Sequence, residues 1–151
     1  MINVRIQTDS DSDSVKSIIG ATTKELRDIY RPIKNQTQSE VEEPVCIVAV
    51  IEENIIGTAE YLINRSHVLI RNLAVSPDHR RQGAARAIIE HIILKAKNTG
   101  KTKLLLSTIK ETGNINIFLH MGFNIDSALI SENFEGVHGE QITQVNMSQL
   151  I

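Results

Sequence analysis

The residues most able to do chemistry stand at a helix start in the middle of the chain. Arg80–Ala85 (RRQGAA) follows an apolar strand end and a short turn, and it leads into an amphipathic helix. The first amides of a helix lack partners within it, and the helix dipole adds partial positive charge there, so such a start favours phosphate. Gly83 leaves the backbone bare, and Arg80, Arg81 and Arg86 add formal charge. The pattern therefore predicts a site for a diphosphate or a similar anion.

Two common phosphate-binding patterns are absent from the sequence. It has no Walker loop, which needs Gly, four residues and then Gly-Lys-Ser/Thr, and no Gly-x-Gly-x-x-Gly dinucleotide fingerprint. The segment Arg80–Ala85 reads Arg-x-x-Gly-x-Ala and resembles the acyl-CoA-binding motif of the GNAT N-acetyltransferase superfamily, Gln/Arg-x-x-Gly-x-Gly/Ala. The strand end Leu73-Ala74-Val75 and the downstream pair Gly122-Phe123 strengthen the resemblance. It covers nearly the whole chain, is sharpest from Val68 to Phe123, and is weak before Val45.

The order of predicted elements also agrees with that family. Residue periodicity predicts strands at Ile2–Gln7, Val45–Ile51, Ile55–Ile63, Val68–Val75, Leu104–Ile109, Asn124–Ser131 and Glu140–Met147. It predicts helices from the Asp9–Asp13 cap to Arg31-Pro32, from Gly83 to about Lys97, and near Asn114–Met121, with a loop or short second helix at Lys34–Glu43. The resemblance implies an α/β fold in which a mixed six- to seven-stranded sheet is flanked by helices on both faces.

Composition bounds the remaining possibilities. A length of 151 residues suits one domain, residues 1–151, and the net charge of −2 with 3% aromatic residues argues against nucleic-acid binding. Cys46 is the only cysteine, so no intramolecular disulfide forms, and a reducing, cytoplasmic setting is expected. No apolar run is long enough to cross a membrane. The acidic cluster Asp9–Asp13 lacks the glycine and terminal glutamate of a calcium loop, so we interpret it as a helix cap and expect no metal.

The resemblance implies a role for each part of the central region. Strand Val68–Val75 should bulge and splay from Leu104–Ile109, and the pantetheine arm of acetyl-CoA should fill the gap. A backbone amide near Leu73 would then be the oxyanion donor. The implied coenzyme-binding residues are Leu73, Ala74, Val75, Arg80, Arg81, Gln82, Gly83, Ala84, Ala85, Arg86, Asn114 and Phe118. Two alternatives stay open: the glycine and alanines may serve close helix packing instead, and Arg86 is equally well explained as a solvated residue.

The sequence departs from the family at the catalytic positions. Phe118 occupies the place of a tyrosine that protonates the departing thiolate, so the proton would come from water, Ser107 or Thr108. The usual positions of the general base hold Leu69 and Arg71, and neither can act as a base. Glu60 on the neighbouring strand is the nearest carboxylate that we can nominate. His120 would substitute for the tyrosine only in an irregular helix, and the family's coenzyme-binding asparagine aligns with Glu111, or with Asn114 if the helix is shorter.

Arg71 is the most informative departure, because an arginine inside an apolar strand is costly to bury unless it is paired. Either it pairs with an internal carboxylate, or it binds a carboxylate or phosphate of the acceptor. We favour the second, which indicates an anionic, amino-acid-like acceptor over a polyamine.

The expected function is acetyl transfer from acetyl-CoA to a primary amine of a small molecule or peptide, by direct attack in a ternary complex. The alternative is a catalytically weak acyl-CoA-binding sensor. Homodimers are common in the family, and the apolar end Val145–Ile151 either pairs across a dimer interface or forms an ordinary last strand.

Overall fold

Two sheets and three α-helices organise residues 1–33 and 43–151, which are the residues that the computed structural model describes. The strands are β1 (Asn3–Ile6), β2 (Tyr30–Pro32), β3 (Val45–Ile51), β4 (Asn54–Ile63), β5 (Val68–Val75), β6 (Lys103–Ile109), β7 (Asn124–Ile130), β8 (Phe134–Gly136) and β9 (Thr143–Leu150). The helices are α1 (Ser12–Leu26), α2 (Ala84–Asn98) and α3 (Ile115–His120). Seven strands form the main sheet in the order β1-β3-β4-β5-β6-β9-β7, and β2 pairs with β8 in a separate ribbon. The expected mixed sheet is confirmed: β5 and β6 are parallel, and the other paired strands are antiparallel.

The core lies mainly between α2 and the sheet. Ile88, Ile89 and Ile92 of α2 are buried and belong to one cluster with sheet residues such as Ile47 and Leu104. These α2 residues recur at helical spacing, so one stripe of the helix removes its apolar surface from water against the sheet. This packing fixes where the start of α2 stands relative to the end of β5.

Helix α1 packs against β4 and β5 with its buried residues Val15 and Ile18. Neither residue belongs to the cluster around α2. On β3, Ile47 is in that cluster while the adjacent Val48 is buried outside it. Because successive strand residues point to opposite faces, the sheet is covered on both faces here. The expectation of helices on both faces is met.

The start of α1 is tied to the first strand by an acidic residue. Asp11 is 5% exposed and accepts hydrogen bonds from Arg5 Nη1 at 2.7 Å, Arg5 Nη2 at 3.0 Å and the Thr8 amide at 2.8 Å. The Arg5 contact, with the Thr8 amide, holds the pKa of the Asp11 carboxyl well below its usual range. The acidic cluster is thus a cap and an anchor. Among the described residues, no group of three or more acidic, histidine or cysteine side chains is placed to hold a metal ion.

The structure corrects the predicted ends of the chain. Helix α1 ends at Leu26, earlier than predicted, because Tyr30–Pro32 pairs with Phe134–Gly136 and the chain must leave the helix to reach it. The ribbon of β2 and β8 was not predicted at all. The last strand begins at Thr143 and not at Glu140. The loop or short helix expected at Lys34–Glu43 falls on residues 34–42, which lie outside the described residues.

The C-terminal segment is an ordinary strand, and this resolves one of the open alternatives. β9 lies between β6 and β7 and pairs with both, so its backbone is already used within the chain. Among the described strands, β7 is the edge at this end of the sheet, and its Ile125, Leu129 and Ile130 are at least half exposed. In the described segments, no helix combines the length and the apolar character needed to cross a bilayer.

Candidate active site

A bulge in the middle of β5 sets the geometry of the site. In the pairing of β4 with β5, Thr58 stands opposite Ala74 and Glu60 opposite Arg71, so Asn72 and Leu73 together face a single residue of β4. Asn72 adopts φ +54°, a left-handed conformation that asparagine tolerates better than most side chains. The extra residue leaves the ladder locally unpaired and bends the strand.

Beyond its first residues, β5 separates from β6. The two strands pair only at Val68–Leu104 and Leu69–Leu105, while β6 continues along β9 as far as Ile109. The rest of β5 is therefore not paired with β6. The space beside it is a cleft of about 280 Å³, lined by Leu73 and Leu106 among others. The expectation that this strand bulges and splays is confirmed.

The cleft has an aromatic character that is unusual for this chain. Three of its five aromatic residues line the cleft: Tyr30, Phe118 and Phe134. Tyr30 and Phe134 meet edge to face with ring centroids 5.1 Å apart. Both belong to the ribbon that the sequence did not predict, so sequence reasoning missed them as site residues. The only sequence signal for these two site residues was that each ring stands close to turn-forming residues, Pro32 for Tyr30 and Gly136 for Phe134.

The start of α3 also contributes to the lining of the cleft. Asn114 is the residue before α3 and lines the cleft together with Phe118. Glu111, the other candidate for the family's asparagine position, instead accepts hydrogen bonds from the Thr143 amide at 3.1 and 3.2 Å. The nitrogen Nδ1 of His120 lies 2.6 Å from the Asn116 carbonyl oxygen on the exposed side of α3. Of the two candidates for the family's asparagine position, Asn114 is the one that lines the cleft.

The start of α2 is open to an approaching ligand. Gly83 precedes the helix with φ +90°, and Arg81 has φ +63°, so both residues are left-handed. A Cβ at Gly83 would meet no heavy atom within 4 Å. Close packing of helix on strand therefore does not explain the glycine, although it does explain Ala84, which is 2% exposed. Free helix amides, bare backbone and open space fit a phosphate group of the coenzyme.

The arginines around this start are not equivalent. Arg80 makes two hydrogen bonds to the Glu25 carboxylate of α1, at 2.7 and 2.8 Å. These bonds lower the pKa of Glu25 and raise that of Arg80. Arg81 and Arg86 are exposed beside the helix start. Part of the positive charge predicted for phosphate binding is thus already neutralised by Glu25.

Arg71 has an internal partner. Its Nη2 donates to Glu60 Oε2 at 3.0 Å across the strand pair, and both side chains are about one quarter exposed (25% and 24%). Arg71 lines the cleft, whereas Glu60 is not among the lining residues. In the structure Arg71 therefore pairs with an internal carboxylate, which is the alternative that we favoured less. Binding of an anionic acceptor by Arg71 stays a prediction, in which Glu60 would share the guanidinium.

Ser107 lies on the cleft wall and takes part in a polar network. Its hydroxyl donates to Asn146 Oδ1 at 2.7 Å, and Gln144 Nε2 donates to the same oxygen at 3.1 Å. Asn146 Nδ2 in turn donates to Ser127 Oγ at 2.9 Å. Because an amide oxygen only accepts, the hydrogen of Ser107 is committed to Asn146, and the serine oxygen keeps its capacity to accept a further hydrogen bond.

Comparison with known proteins identifies relatives with the same architecture. The sequence model of the acetyltransferase (GNAT) family matches residues 13–123. N-acetyltransferase 8B from Rattus norvegicus is 29% identical over 108 residues, which are 67% of this chain and 49% of that protein, so the chain spans about half the length of this curated relative.

Solved structures agree over almost the whole chain. The ribosomal-protein-S18-alanine N-acetyltransferase of Escherichia coli superposes with a TM-score of 0.75 at 18% identity, covering 100% of this chain and 94% of that one. A GCN5-related N-acetyltransferase of Kribbella flavida gives 0.79 at 14% identity, covering 99% and 98%. An aminoglycoside 6'-N-acetyltransferase solved with coenzyme A gives 0.74 at 11% identity, covering 98% and 96%. At these identities the likeness establishes the fold.

Proposed function

Because the chain belongs to the GNAT acetyltransferase family, we propose that it transfers an acetyl group from acetyl-CoA to a primary amine by direct attack in a ternary complex. The observation that carries the proposal is the splay of β5 from β6 at the Asn72–Leu73 bulge, close along the chain to an open, glycine-led helix start. An elongated ligand with a phosphate end and a thioester end matches these two features. In this proposal residues 1–151 form one catalytic domain.

The coenzyme residues fall into two groups. The amides of residues 81–85 would hold the pyrophosphate, with exposed Arg81 and Arg86 adding charge. The free edge of β5, including Ala74 and Val75, would hydrogen-bond the pantetheine arm, and Asn114 and Phe118 would contact it from α3. Acetyl-CoA supplies an activated acetyl group. Arg80 acts here by fixing the loop against Glu25 more than by touching phosphate.

The Leu73 amide is the proposed oxyanion donor. Leu73 stands in the bulge and lines the cleft, which supports this assignment. A preorganised amide stabilises the negative charge that develops on the carbonyl oxygen, and one such donor is typically worth about 3 kcal/mol. Most of the remaining rate enhancement comes from holding the amine and the thioester together.

Proton transfer relies on weaker candidates. Ser107 is the proposed acid, and it would reach the departing sulfur only after turning its hydroxyl from Asn146. Glu60 is the proposed base, and it would act only after loosening its contact with Arg71. The acid is not strictly required, because a thiolate whose parent thiol has a pKa of about 8.5 is a tolerable leaving group near neutral pH.

The proposed acceptor is an amine of a small molecule or peptide that enters between α1 and the ribbon of β2 and β8. Leu26, Tyr30 and Phe134 would contact its body, and Arg71 would meet an anionic group if it has one. We propose a cytoplasmic location, as expected from the single Cys46, and no nucleic-acid or membrane partner. A homodimer is compatible with the exposed β7 edge.

Two observations favour a second candidate, a catalytically weak acyl-CoA-binding module. Phe118 has no hydroxyl to donate, and Glu60 is engaged by Arg71. Such a module would bind the coenzyme but release no thiol with any amine.

The first test is thermal stabilisation of the purified protein by acetyl-CoA and coenzyme A, with ATP as the comparator. Stabilisation by both coenzymes but not by ATP is expected, followed by release of free thiol when amines are supplied. No stabilisation at concentrations far above micromolar would refute coenzyme binding. Stabilisation without turnover over a broad amine panel would favour the binding module.

A further inference from the structure

Resting on the proposed function, we infer that the acceptor is a weakly basic amine, such as the α-amino terminus of a peptide or an aromatic amine, and not a lysine side chain or a polyamine. Three properties support this acceptor class: the charges around the cleft, the hydrogen-bonding groups of its lining, and the protonation state in which an amine can react.

The described lining of the cleft offers an ammonium group no counter-charge. Among the described residues that line it, Arg71 is the only charged one, and there is no carboxylate or imidazole. Glu60, the carboxylate closest to it on β4, is held by Arg71. A protonated amine would therefore meet a guanidinium and no acidic side chain of the described lining, and a protonated polyamine would bring two or three charges there.

Several charged groups on the neighbouring elements have partners of their own. Arg27, the residue after α1, lies over the Tyr30 ring at 5.2 Å, and Arg31 of β2 pairs with Glu135 of β8 at 3.3 Å. Glu25 holds Arg80, and Glu111 holds the Thr143 amide. Lys110 precedes Glu111 and His120 ends α3, but neither lines the cleft. None of these groups within the described ranges is placed to draw an ammonium inward.

The polar groups of the cleft suit a neutral amine. The Ser107 hydrogen is committed to Asn146, which is itself held by Gln144 and Ser127, so on this lining residue the serine oxygen remains available as an acceptor. A neutral amine can donate one N–H to this oxygen and keep its nitrogen lone pair for attack. An ammonium has no lone pair. While Arg71 holds Glu60, the proposed base, an ammonium must lose its proton to water before it reacts.

The neutral fraction then becomes the selective quantity. At about pH 7.4, roughly one fifth to one third of a peptide α-amine is neutral, against roughly 0.1% of a lysine amine. Once neutral, the lysine amine is the better nucleophile because it is the stronger base, and this partly offsets its smaller neutral fraction. We therefore expect a net preference of about tenfold or more for the α-amine.

The test uses two peptides of the same sequence, which contains a single lysine at one end. In the first the α-amine is free and the lysine is blocked; in the second the lysine is free and the α-amine is blocked. Spermidine and a simple aromatic amine complete the panel. Thiol release gives kcat/KM between about pH 6.5 and 9.5, and mass spectrometry identifies the acetylated nitrogen.

We expect the free α-amine to be favoured about tenfold or more over the lysine amine near pH 7.4. For the peptides and spermidine, kcat/KM should rise with unit slope toward that acceptor's own amine pKa, so the preference shrinks at high pH. The aromatic amine is neutral over this whole range, so its kcat/KM should not change with pH. A preference for lysine or spermidine near neutral pH overturns the inference and leaves the proposed function standing. So does one enzyme pKa shared by both peptide profiles. Absence of turnover with every amine refutes the proposed function, and the inference falls with it.

Variants of the ion pair make the test specific to this site. Arg71→Gln leaves the Glu60 carboxylate without its guanidinium beside the cleft, so lysine should gain relative to the α-amine. The double variant Arg71→Gln/Glu60→Gln removes that charge and should restore the preference. Glu40→Gln/Glu42→Gln removes two carboxylates of the segment outside the described residues. An unchanged preference and pH slope are expected there, and loss of the slope would identify one of them as a base and overturn the inference.

Discussion

Substitution of Gly83 by valine isolates ligand approach from backbone strain. Gly83 and Gly100 are matched: their φ values are +90° and +76°, and a Cβ at either position meets no heavy atom within 4 Å. An L-residue in this conformation costs roughly 1–2 kcal/mol or somewhat more when β-branched. Gly83→Val and Gly100→Val should therefore lower the Tm of the unliganded protein by similar amounts.

The two variants should differ only when the coenzyme is present. At 100 times its Kd, a ligand stabilises the folded state by about 2.7 kcal/mol, which is roughly 5–10 °C for a domain of this size. Gly100→Val should keep this shift. In Gly83→Val the side chain takes the open space before α2, and a hundredfold loss of affinity would reduce the stabilisation to about 0.4 kcal/mol. Scanning fluorimetry at several acetyl-CoA concentrations measures both the Tm of each unliganded variant and the Tm shift that the coenzyme causes. An undiminished coenzyme shift in Gly83→Val would refute our assignment of the phosphate site.

Three further substitutions probe other parts of the argument. Glu25→Gln should free Arg80 for phosphate, so the Kd for coenzyme A should fall a few-fold and depend more steeply on salt; a weaker affinity would show that Glu25 is needed to shape the loop. Asp11→Asn should lower the Tm most near neutral pH: the folded pKa of Asp11 is depressed, so its contribution is present above the unfolded value of about 3.9 and is lost as the pH falls further. A Tm difference from wild type that does not shrink below about pH 4 would contradict this. Phe118→Tyr places a hydroxyl on the cleft wall and should raise kcat several-fold below about pH 8, where thiolate protonation helps most; an unchanged kcat would show that thiolate departure does not limit the rate.

The elements that could be predicted are those with a local signal. Runs of β-branched residues predict β3 and β5 to the residue, since such runs suit strands covered on both faces. The stripe of isoleucines and the glycine before it predict α2 within one residue. For the same reason the helix start was the part of the site that the sequence located best.

The features that escaped prediction depend on distant contacts. Each strand of the β2–β8 ribbon has three residues, and the Arg31–Glu135 pair joins positions 104 residues apart, so neither half carries a pattern of its own. The left-handed Asn72 lies inside an apolar run without any turn signature. The pairing of Arg71 with Glu60 follows from the register that the bulge creates, which periodicity cannot reveal.

Two neighbouring residues of α1 connect the halves of the site. Glu25 holds Arg80 beside the proposed phosphate position, and the next residue, Leu26, lines the cleft where the acceptor would lie. A phosphate that competes for Arg80 acts on the same helical turn that an acceptor contacts. Thermodynamic reciprocity then applies: whatever factor the coenzyme imposes on acceptor affinity, the acceptor imposes on coenzyme affinity. The two affinities are thus coupled through this turn, and substitution of Glu25 should change the coupling factor equally for the coenzyme and the acceptor.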